Sequence, residues 1–157
     1  MSESKYGKYI CTELKKNIKL PEFKGDQKIV QGSKGGVRPP LEHIIWMDSE
    51  VIPGAFYAEI MWCWPTHKIT PEEAAKMPGV PPHTHPFDEI ITYFGCDPDN
   101  PSELNGEIEL WLEDEKYNLT KSFIAYIPAG MVHCPLKHIR QEQPMFHITT
   151  GPGQIYT

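Results

Sequence analysis

Proline and glycine interrupt this chain so often that an architecture of long helices is excluded. The 157 residues include 16 prolines and 12 glycines, which end or bend regular elements and favour short ones joined by turns. Hydrophobic residues make up 39% of the sequence, which is enough to form the packed core of one domain. Short elements between frequent turns are typical of a β-sandwich or β-barrel, so we expect an all-β fold.

The apolar runs between the turns predict strands. The second run has apolar residues on both faces, and its alternation places Tyr57, Glu59, Met61 and Cys63 on one of them. A buried glutamate is costly unless it is paired, so Glu59 faces either solvent or a polar pocket. The predicted strands are Leu41–Met47, Ala55–Trp64, Glu89–Phe94, Glu107–Glu113, Phe123–Ile127 and Pro144–Thr150.

One segment carries the signals of a helix. Thr70 can act as N-cap, Pro71 suits the first helical position, and Glu73 completes a capping box. Met77-Pro78-Gly79 would end this helix after about two turns.

Composition and charge restrict the organisation and the partners of the chain. Residues 1–36 form a polar arm that ends in a Gly-rich stretch, and residues 37–157 form the β-domain. The formal net charge of −6 argues against nucleic acid as a partner. There is no apolar run of about 20 residues and no apolar signal core, so we expect a cytoplasmic protein without a membrane partner.

The four cysteines form no C-x-x-C pair, and we expect reduced thiols. Most are interpreted as small buried hydrophobic residues, although Cys134 stands beside a candidate ligand.

A cluster of metal-ligand residues is the most informative feature of the sequence. His83, His85 and Glu89 are separated by two and four residues, so on extended backbone all three side chains can point to one face. Two imidazoles and a carboxylate on one face are typical of a mononuclear divalent-metal site. The turn Pro128-Ala-Gly130-Met-Val-His133 supplies a fourth possible ligand.

These two segments resemble the two conserved motifs of the cupins. His83-x-His85-x-x-x-Glu89 with Gly95 resembles the first motif, and Pro128-x-Gly130-x-x-His133 resembles the second. The resemblance covers roughly residues 37–150 and implies a small antiparallel β-barrel, a jelly roll or double-stranded β-helix. It also implies one metal ion bound near the mouth of the barrel by His83, His85, Glu89 and His133. The first motif departs from the usual pattern because five residues, rather than six, separate Glu89 from Gly95.

The donor set predicts the kind of metal. Three neutral imidazoles and one carboxylate leave a divalent ion with a net charge of about +1. Fe, Mn, Ni or Co would keep two open positions for substrate, water or dioxygen, and Zn can occupy the same site. The alternative is a barrel that has lost its metal and keeps these histidines as hydrogen-bonded core residues.

Three further residues are candidates for proton transfer. Tyr93 continues the even register of Glu89 and can point into the cavity or pack in the barrel wall. His147 lies in the middle of a strand and is either a catalytic histidine or a satisfied core histidine. Glu59 and His43 allow the same two interpretations. The polar run Lys137–Arg140 is interpreted as a solvated connection rather than an anion clamp.

Two hypotheses of function follow, because the cupin fold hosts many activities. The first is a metal-dependent enzyme, whether lyase, isomerase, hydrolase or dioxygenase, acting on a small anionic or enolizable oxygenated molecule. The second is a sensor or storage module that binds a small molecule without turnover. A barrel whose metal serves only to stabilise the fold is a third possibility.

The aromatic content predicts an assembly. Four Trp, seven Tyr and six Phe exceed what one small barrel interior can bury, and both faces of Ala55–Trp64 are largely apolar. We therefore expect a homodimer in which part of residues 10–30 lies on the neighbouring barrel. The alternative is an arm folded back onto its own barrel.

Overall fold

The computed structural model describes residues 5–24, 38–65 and 70–156, with only the backbone of Phe23. The arm's Gly-rich end and the predicted boundary at residue 36 lie outside these ranges. The described ranges contain one α-helix, α1 (Pro71–Lys76), and short 3-10 turns at Gly7–Tyr9 and Glu22–Lys24. The strands are β1 (Leu41–Met47), β2 (Tyr57–Cys63), β3 (Glu89–Gly95), β4 (Glu103–Leu112), β5 (Glu115–Lys121), β6 (Phe123–Ile127), β7 (His133–Gln141) and β8 (Met145–Gly151).

The strands form two antiparallel sheets. The first has the order β1-β2-β8-β3-β6, and the second has the order β5-β4-β7. One core joins them, since Met61 and Ile91 of the first sheet pack with Ile108, Leu110 and Leu136 of the second. The all-β prediction is confirmed. The architecture is a jelly-roll sandwich rather than a closed barrel, because no strand ladder connects the two sheets within the described ranges.

Most predicted strands are present, and two strands were missed. The bounds of β1 and β6 are as predicted, and the capping box of α1 forms between Thr70 and Glu73. The sequence gives no signal for β5, since this edge strand is polar and mostly exposed. The interpretation of Lys137–Arg140 as a solvated connection is wrong. That segment belongs to β7, where Leu136 and Ile139 anchor a polar strand to the core.

The described part of the arm packs on its own domain. Leu14, Ile18 and Leu20 contact an aromatic cluster formed by Trp46, Tyr57 and Tyr156. In this single chain the arm therefore folds back onto its own domain, which is the stated alternative to an arm exchanged with a second chain.

An ion pair adds a polar contact to this packing. The Lys15 ammonium lies 2.5 Å from carboxylate oxygens of both Asp48 and Glu50.

No helix within the described ranges is long and apolar enough to cross a bilayer.

Candidate metal centre

On the inward face of the larger sheet, residues that are paired across neighbouring strands form rows. Each row contains polar as well as apolar residues. The outer row consists of Tyr57, Gly151 and Glu89. The next row inward contains Glu59, Thr149 and Ile91, and the third contains Met61, His147 and Tyr93. The face of β2 that carries Tyr57, Glu59, Met61 and Cys63 is thus buried, and the candidate residues lie at three different depths.

Four predicted ligands converge at the outer row. Donor atoms of His83, His85, Glu89 and His133 all lie within 4.8 Å of one another. Nε2 of His133 is 3.0 Å from Oε2 of Glu89, and Nε2 of His85 is 3.5 Å from Oε1 of the same carboxylate. His85, Glu89 and His133 are buried, and His83 is half-buried.

Backbone carbonyls set the tautomers of two of these imidazoles. Nδ1 of His83 lies 2.7 Å from the carbonyl oxygen of Pro81, and Nδ1 of His133 lies 3.1 Å from that of Met131. A carbonyl only accepts hydrogen bonds, so each Nδ1 must carry the hydrogen and each Nε2 keeps its lone pair. Burial and the neighbouring imidazoles lower the pKa of His83 to about 4, so its ring is neutral at pH 7.

The donor set fits a divalent transition metal. Nε2 of His133 and Oε1 of Glu89 are buried, and the described residues offer neither atom a hydrogen bond. Leaving buried polar atoms unsatisfied is unfavourable, whereas bonds to a cation would satisfy both. Imidazole nitrogens with a carboxylate suit Fe, Mn, Co, Ni or Zn.

The two motifs are joined by backbone hydrogen bonds. The amide of His83 donates to the carbonyl of His133, and the amide of His133 donates back, both at 3.1 Å. Gly130 has a φ of +80°, which favours glycine, and its amide donates to the carbonyl of His85 at 2.9 Å. The turn thereby holds His133 beside the first motif.

Aromatic rings hold the side chain of His85. Phe87 stacks on its ring with a centroid distance of 5.1 Å, and Tyr156 lies 5.0 Å from it. The Phe87 ring lies so close to Gly153 that a Cβ there would come within 2.4 Å of it. Any larger residue at position 153 would therefore displace the ring that positions His85.

Glu59 is the centre of a buried polar network. Its exposure is 1%, the Tyr57 hydroxyl donates to Oε2 at 2.7 Å, and Nε2 of His43 lies 2.8 Å from Oε1. Burial opposes ionisation, but the hydrogen bond from His43 and the charge of Lys24 lower the pKa of Glu59 to about 2. Of the two settings considered for Glu59, the structure shows the polar interior.

His147 and Tyr93 stack on each other in the third row, with ring centroids 4.2 Å apart. Nδ1 of His147 donates to the Thr92 carbonyl at 2.6 Å, and Nε2 lies 2.8 Å from the Thr149 hydroxyl. Burial lowers the pKa of His147 to about 4, so the ring is neutral at pH 7. The Tyr93 hydroxyl lies 3.1 Å from Nε2 of His138. Both residues are satisfied within the core.

Cys134, next to the ligand His133, is a buried neutral thiol. Burial raises its pKa to about 12, which removes the thiolate that would bind metal or react.

Sequence reasoning did not identify three residues around the centre, namely Phe87, Tyr156 and Lys24. Tyr156 lies near the C-terminus and Lys24 in the arm, and neither has a spacing that links it to the ligands. Phe87 lies inside the first motif, so its position between two ligands is the one available signal.

Comparisons with known proteins return solved structures only. No family model and no curated protein matches the sequence. KdgF from a Halomonas species is 15% identical over 73% of this chain and 81% of its own, with a TM-score of 0.40. An RmlC-like cupin from Shewanella frigidimarina is 13% identical over 83% and 88%, with a TM-score of 0.42. For an oxalate decarboxylase assigned in Thermotoga maritima the identity is 14%, the coverage 71% and 77%, and the TM-score 0.44.

The chain's own features give the conclusion about its fold. Two antiparallel sheets form the jelly roll, and the two motifs meet at its inward face with three histidines and one glutamate. The chain therefore has a cupin-type fold.

Proposed function

We propose that this protein is a metal-dependent enzyme that acts on a small oxygenated molecule, anionic or enolizable. The observation that carries the proposal is the convergence of three imidazoles and one carboxylate within 4.8 Å. His83, His85, Glu89 and His133 would hold a divalent transition metal through the Nε2 and carboxylate atoms that face one another. The number of ligands leaves room for substrate atoms as well.

The bound ion would supply Lewis-acid chemistry, stabilising negative charge that develops on a substrate oxygen. With four protein ligands the centre keeps a net charge of about +1, which favours anionic oxygen ligands. The protein's own contribution is to fix the ligand geometry. The carbonyls of Pro81 and Met131 set two tautomers, and Phe87 and Tyr156 restrict the ring of His85.

Among the candidates for proton transfer, Glu59 is the nearest to the ligand row. It is one row inward from Glu89, and Tyr57, which donates to it, stacks on Tyr156 beside His85. With a pKa of about 2, Glu59 is a weak base at pH 7. We therefore assign Glu59 a positioning role, in which it accepts the hydrogen bond of the Tyr57 hydroxyl and so holds the Tyr57 ring against Tyr156, beside the ligand His85.

Tyr93 and His147 are assigned a positioning role. Tyr93 follows Glu89 by four residues on β3, which places their Cα atoms about 13 Å apart along the strand. A small molecule bound at the ligand row would not reach the Tyr93 hydroxyl, which is directed to His138. The two stacked rings pack in the core one row deeper than Glu59 and Thr149 and support those side chains.

The test is metal loading followed by a substrate screen. Purified protein is stripped with chelator, loaded anaerobically with Fe, Mn, Co, Ni or Zn, and incubated with a metabolite mixture with and without oxygen. We expect one equivalent of metal per chain and loss of at least one compound. The matched control is the His83→Ala, His133→Ala double variant, which should load no stoichiometric metal and consume nothing.

The same screen distinguishes the alternatives. Binding of a compound without turnover under every metal would favour the sensor or storage module. Metal that raises stability while no compound binds would favour the structural role. A Glu59→Gln variant should load metal normally and lower the rate of consumption, and an unchanged rate would contradict the role given to Glu59.

A further inference from the structure

Strand β6 forms one edge of the larger sheet, and its side chains carry no charge. Within the described ranges β6 pairs with β3 alone, so the backbone groups on its other side have no strand partner there. The sequence of the strand is Phe-Ile-Ala-Tyr-Ile. Two of its side chains, Ile124 and Tyr126, point away from the core and are 66% and 59% exposed. β6 therefore offers an apolar edge to a further strand.

The other three edge strands of the described sheets carry features that oppose edge pairing. β5 contains the charged residues Glu115 and Lys116. β1 contains Glu42 and a shift of register, and β7 contains Pro135 and Lys137. Charges, prolines and bulges are the means by which natural proteins prevent edge strands from pairing with other chains. β6 has none of them, so its edge remains competent to pair.

The open edge lies on the far side of the sheet from the residues that border the range 25–37, which is outside the description. Lys24, before this range, contacts Tyr156, which stacks beside β2. Arg38, after it, lies over the ring of Trp64, directly after β2. In the sheet β8 and β3 separate β2 from β6, a distance of about 14 Å between the outer two strands.

A second copy of β6 is complementary to this edge. With a two-fold axis through Ala125, antiparallel pairing places Ile124 opposite Tyr126 of the partner subunit. It also places Phe123 opposite Ile127 of the partner subunit. Pairs of an aromatic and a β-branched side chain are among the favourable cross-strand pairs. The two-fold axis repeats each pair, so every side chain of the strand meets an apolar neighbour.

The charges at the two ends of β6 also fit this arrangement. Lys121 lies two residues before the strand, and its exposed side chain contacts Glu103. Asp88 lies at the other end, where its carboxylate accepts a hydrogen bond from the Ala129 amide at 2.9 Å. Antiparallel pairing brings the start of one strand to the end of the other, so Lys121 of each chain approaches the partner's Asp88. Opposite charges therefore meet at both ends, and no like charges meet between them.

We propose that β6 is an interface between two copies of this chain, which pair edge to edge and join their larger sheets into one continuous sheet. The contact goes beyond the proposed function and does not depend on a bound metal. It also leaves the arm on its own domain, since the described part of the arm packs near Trp46 of β1, at the opposite edge of the sheet.

The first experiment measures the mass of the full chain and its variants by sedimentation equilibrium at micromolar concentration. The wild-type protein should be a dimer. Ile124→Lys should raise the Kd of the dimer about tenfold or more, because a charge replaces an apolar contact that the two-fold axis makes twice. Far-ultraviolet circular dichroism should be unchanged, since the side chain at position 124 is exposed. The matched control is Tyr117→Lys, which adds the same charge to the edge strand β5 and should remain dimeric.

The second experiment tests the register of the pair. Ile124→Cys and Tyr126→Cys are purified as separate proteins and oxidised alone and as a mixture. The covalent dimer should form much faster in the mixture, because each introduced cysteine lies opposite the other position and not opposite itself. Tyr117→Cys mixed with either variant measures random cross-linking, and wild-type protein measures cross-linking through the native cysteines.

Three results would overturn the inference. A wild-type protein that stays monomeric would refute it and leave the edge to an extended segment of a different protein. A dimer of unchanged affinity in Ile124→Lys would place the contact on another surface. Dimers in which the mixed cysteine variants cross-link no faster than the Tyr117→Cys control would rule out antiparallel pairing of β6. None of these outcomes bears on the metal centre, so the proposed function is tested separately.

Discussion

The His147→Asn variant tests whether His147, in the third row, is a buried neutral side chain with a structural role. His147 is 7% exposed and holds its neutral ring between the Thr92 carbonyl and the Thr149 hydroxyl. Asn can still donate to the Thr92 carbonyl, so the variant removes the titrating group with a limited change of shape.

The pKa of His147 gives the magnitude. It falls from 6.5 to about 4 on folding because the ring is buried, so the unfolded chain binds the proton more readily than the folded one. The contribution of the neutral His147 side chain to the free energy of unfolding is fully present above pH 6.5 and is lost as the pH falls towards 4. From these two values the loss is about 2 kcal/mol at pH 5 and about 3 kcal/mol at pH 4.

The assay is urea unfolding of chelator-treated protein between pH 7.5 and 4.5. At pH 7.5 the variant should be less stable than wild type by about 1–3 kcal/mol, because it loses packing against Tyr93. That difference should shrink by about 2 kcal/mol by pH 5, since only the wild type must protonate a buried imidazole. Other titrating groups are common to both proteins and cancel in the comparison.

A core truncation beside His147 provides the control. Met61→Ala, at the position paired with His147 across β2 and β8, removes apolar volume but no titrating group. Its stability should run parallel to that of the wild type at every pH. If the His147→Asn curve were also parallel, the buried neutral histidine would be refuted.

Further predictions concern the centre and the assembly. The His83→Ala, His133→Ala double variant should lose stoichiometric metal, measured by elemental analysis, and keep its β-sheet circular dichroism. Gly153→Ala should displace Phe87 and weaken metal binding about tenfold or more in competition with a chelator, and unchanged affinity would contradict the packing argument. Sedimentation equilibrium at micromolar concentration should give a homodimer, and a mass near 18 kDa would refute it. If the arm is exchanged, removal of residues 1–30 should yield monomers.

The fold could be predicted where burial leaves a periodic signal. β1 and β6 are apolar runs bounded by turn residues, so their limits could be read directly. β5 lies at a sheet edge and contributes little to the core, so selection for apolar residues is weak there. β7 carries Pro135, Lys137 and Arg140, and its four buried residues, at positions 133, 134, 136 and 139, do not alternate regularly.

The ligands of the centre could be predicted, and their surroundings could not. His83, His85 and Glu89 lie within seven residues of one another, so their spacing indicates a common site. The expected continuous extended strand is not what brings them together, because β3 begins at Glu89 and bends at residues 86 and 87 precede it. Tyr156 and Lys24 lie towards opposite ends of the chain, and tertiary packing brings them together near the centre. The spacing of neighbouring residues in the sequence does not predict such contacts. The depth of His147 and Tyr93 likewise depends on the register between three strands.

The reciprocal hydrogen bonds between His83 and His133 bear on when the protein can acquire metal during synthesis. About fifty residues separate these two ligands, and closing a loop of that length is entropically unfavourable until the sheets pair. A nascent chain therefore presents only the first motif, with three donors on a short and pliable segment. The complete set exists only after β7 has joined the second sheet, so high-affinity loading would follow translation and folding rather than guide them.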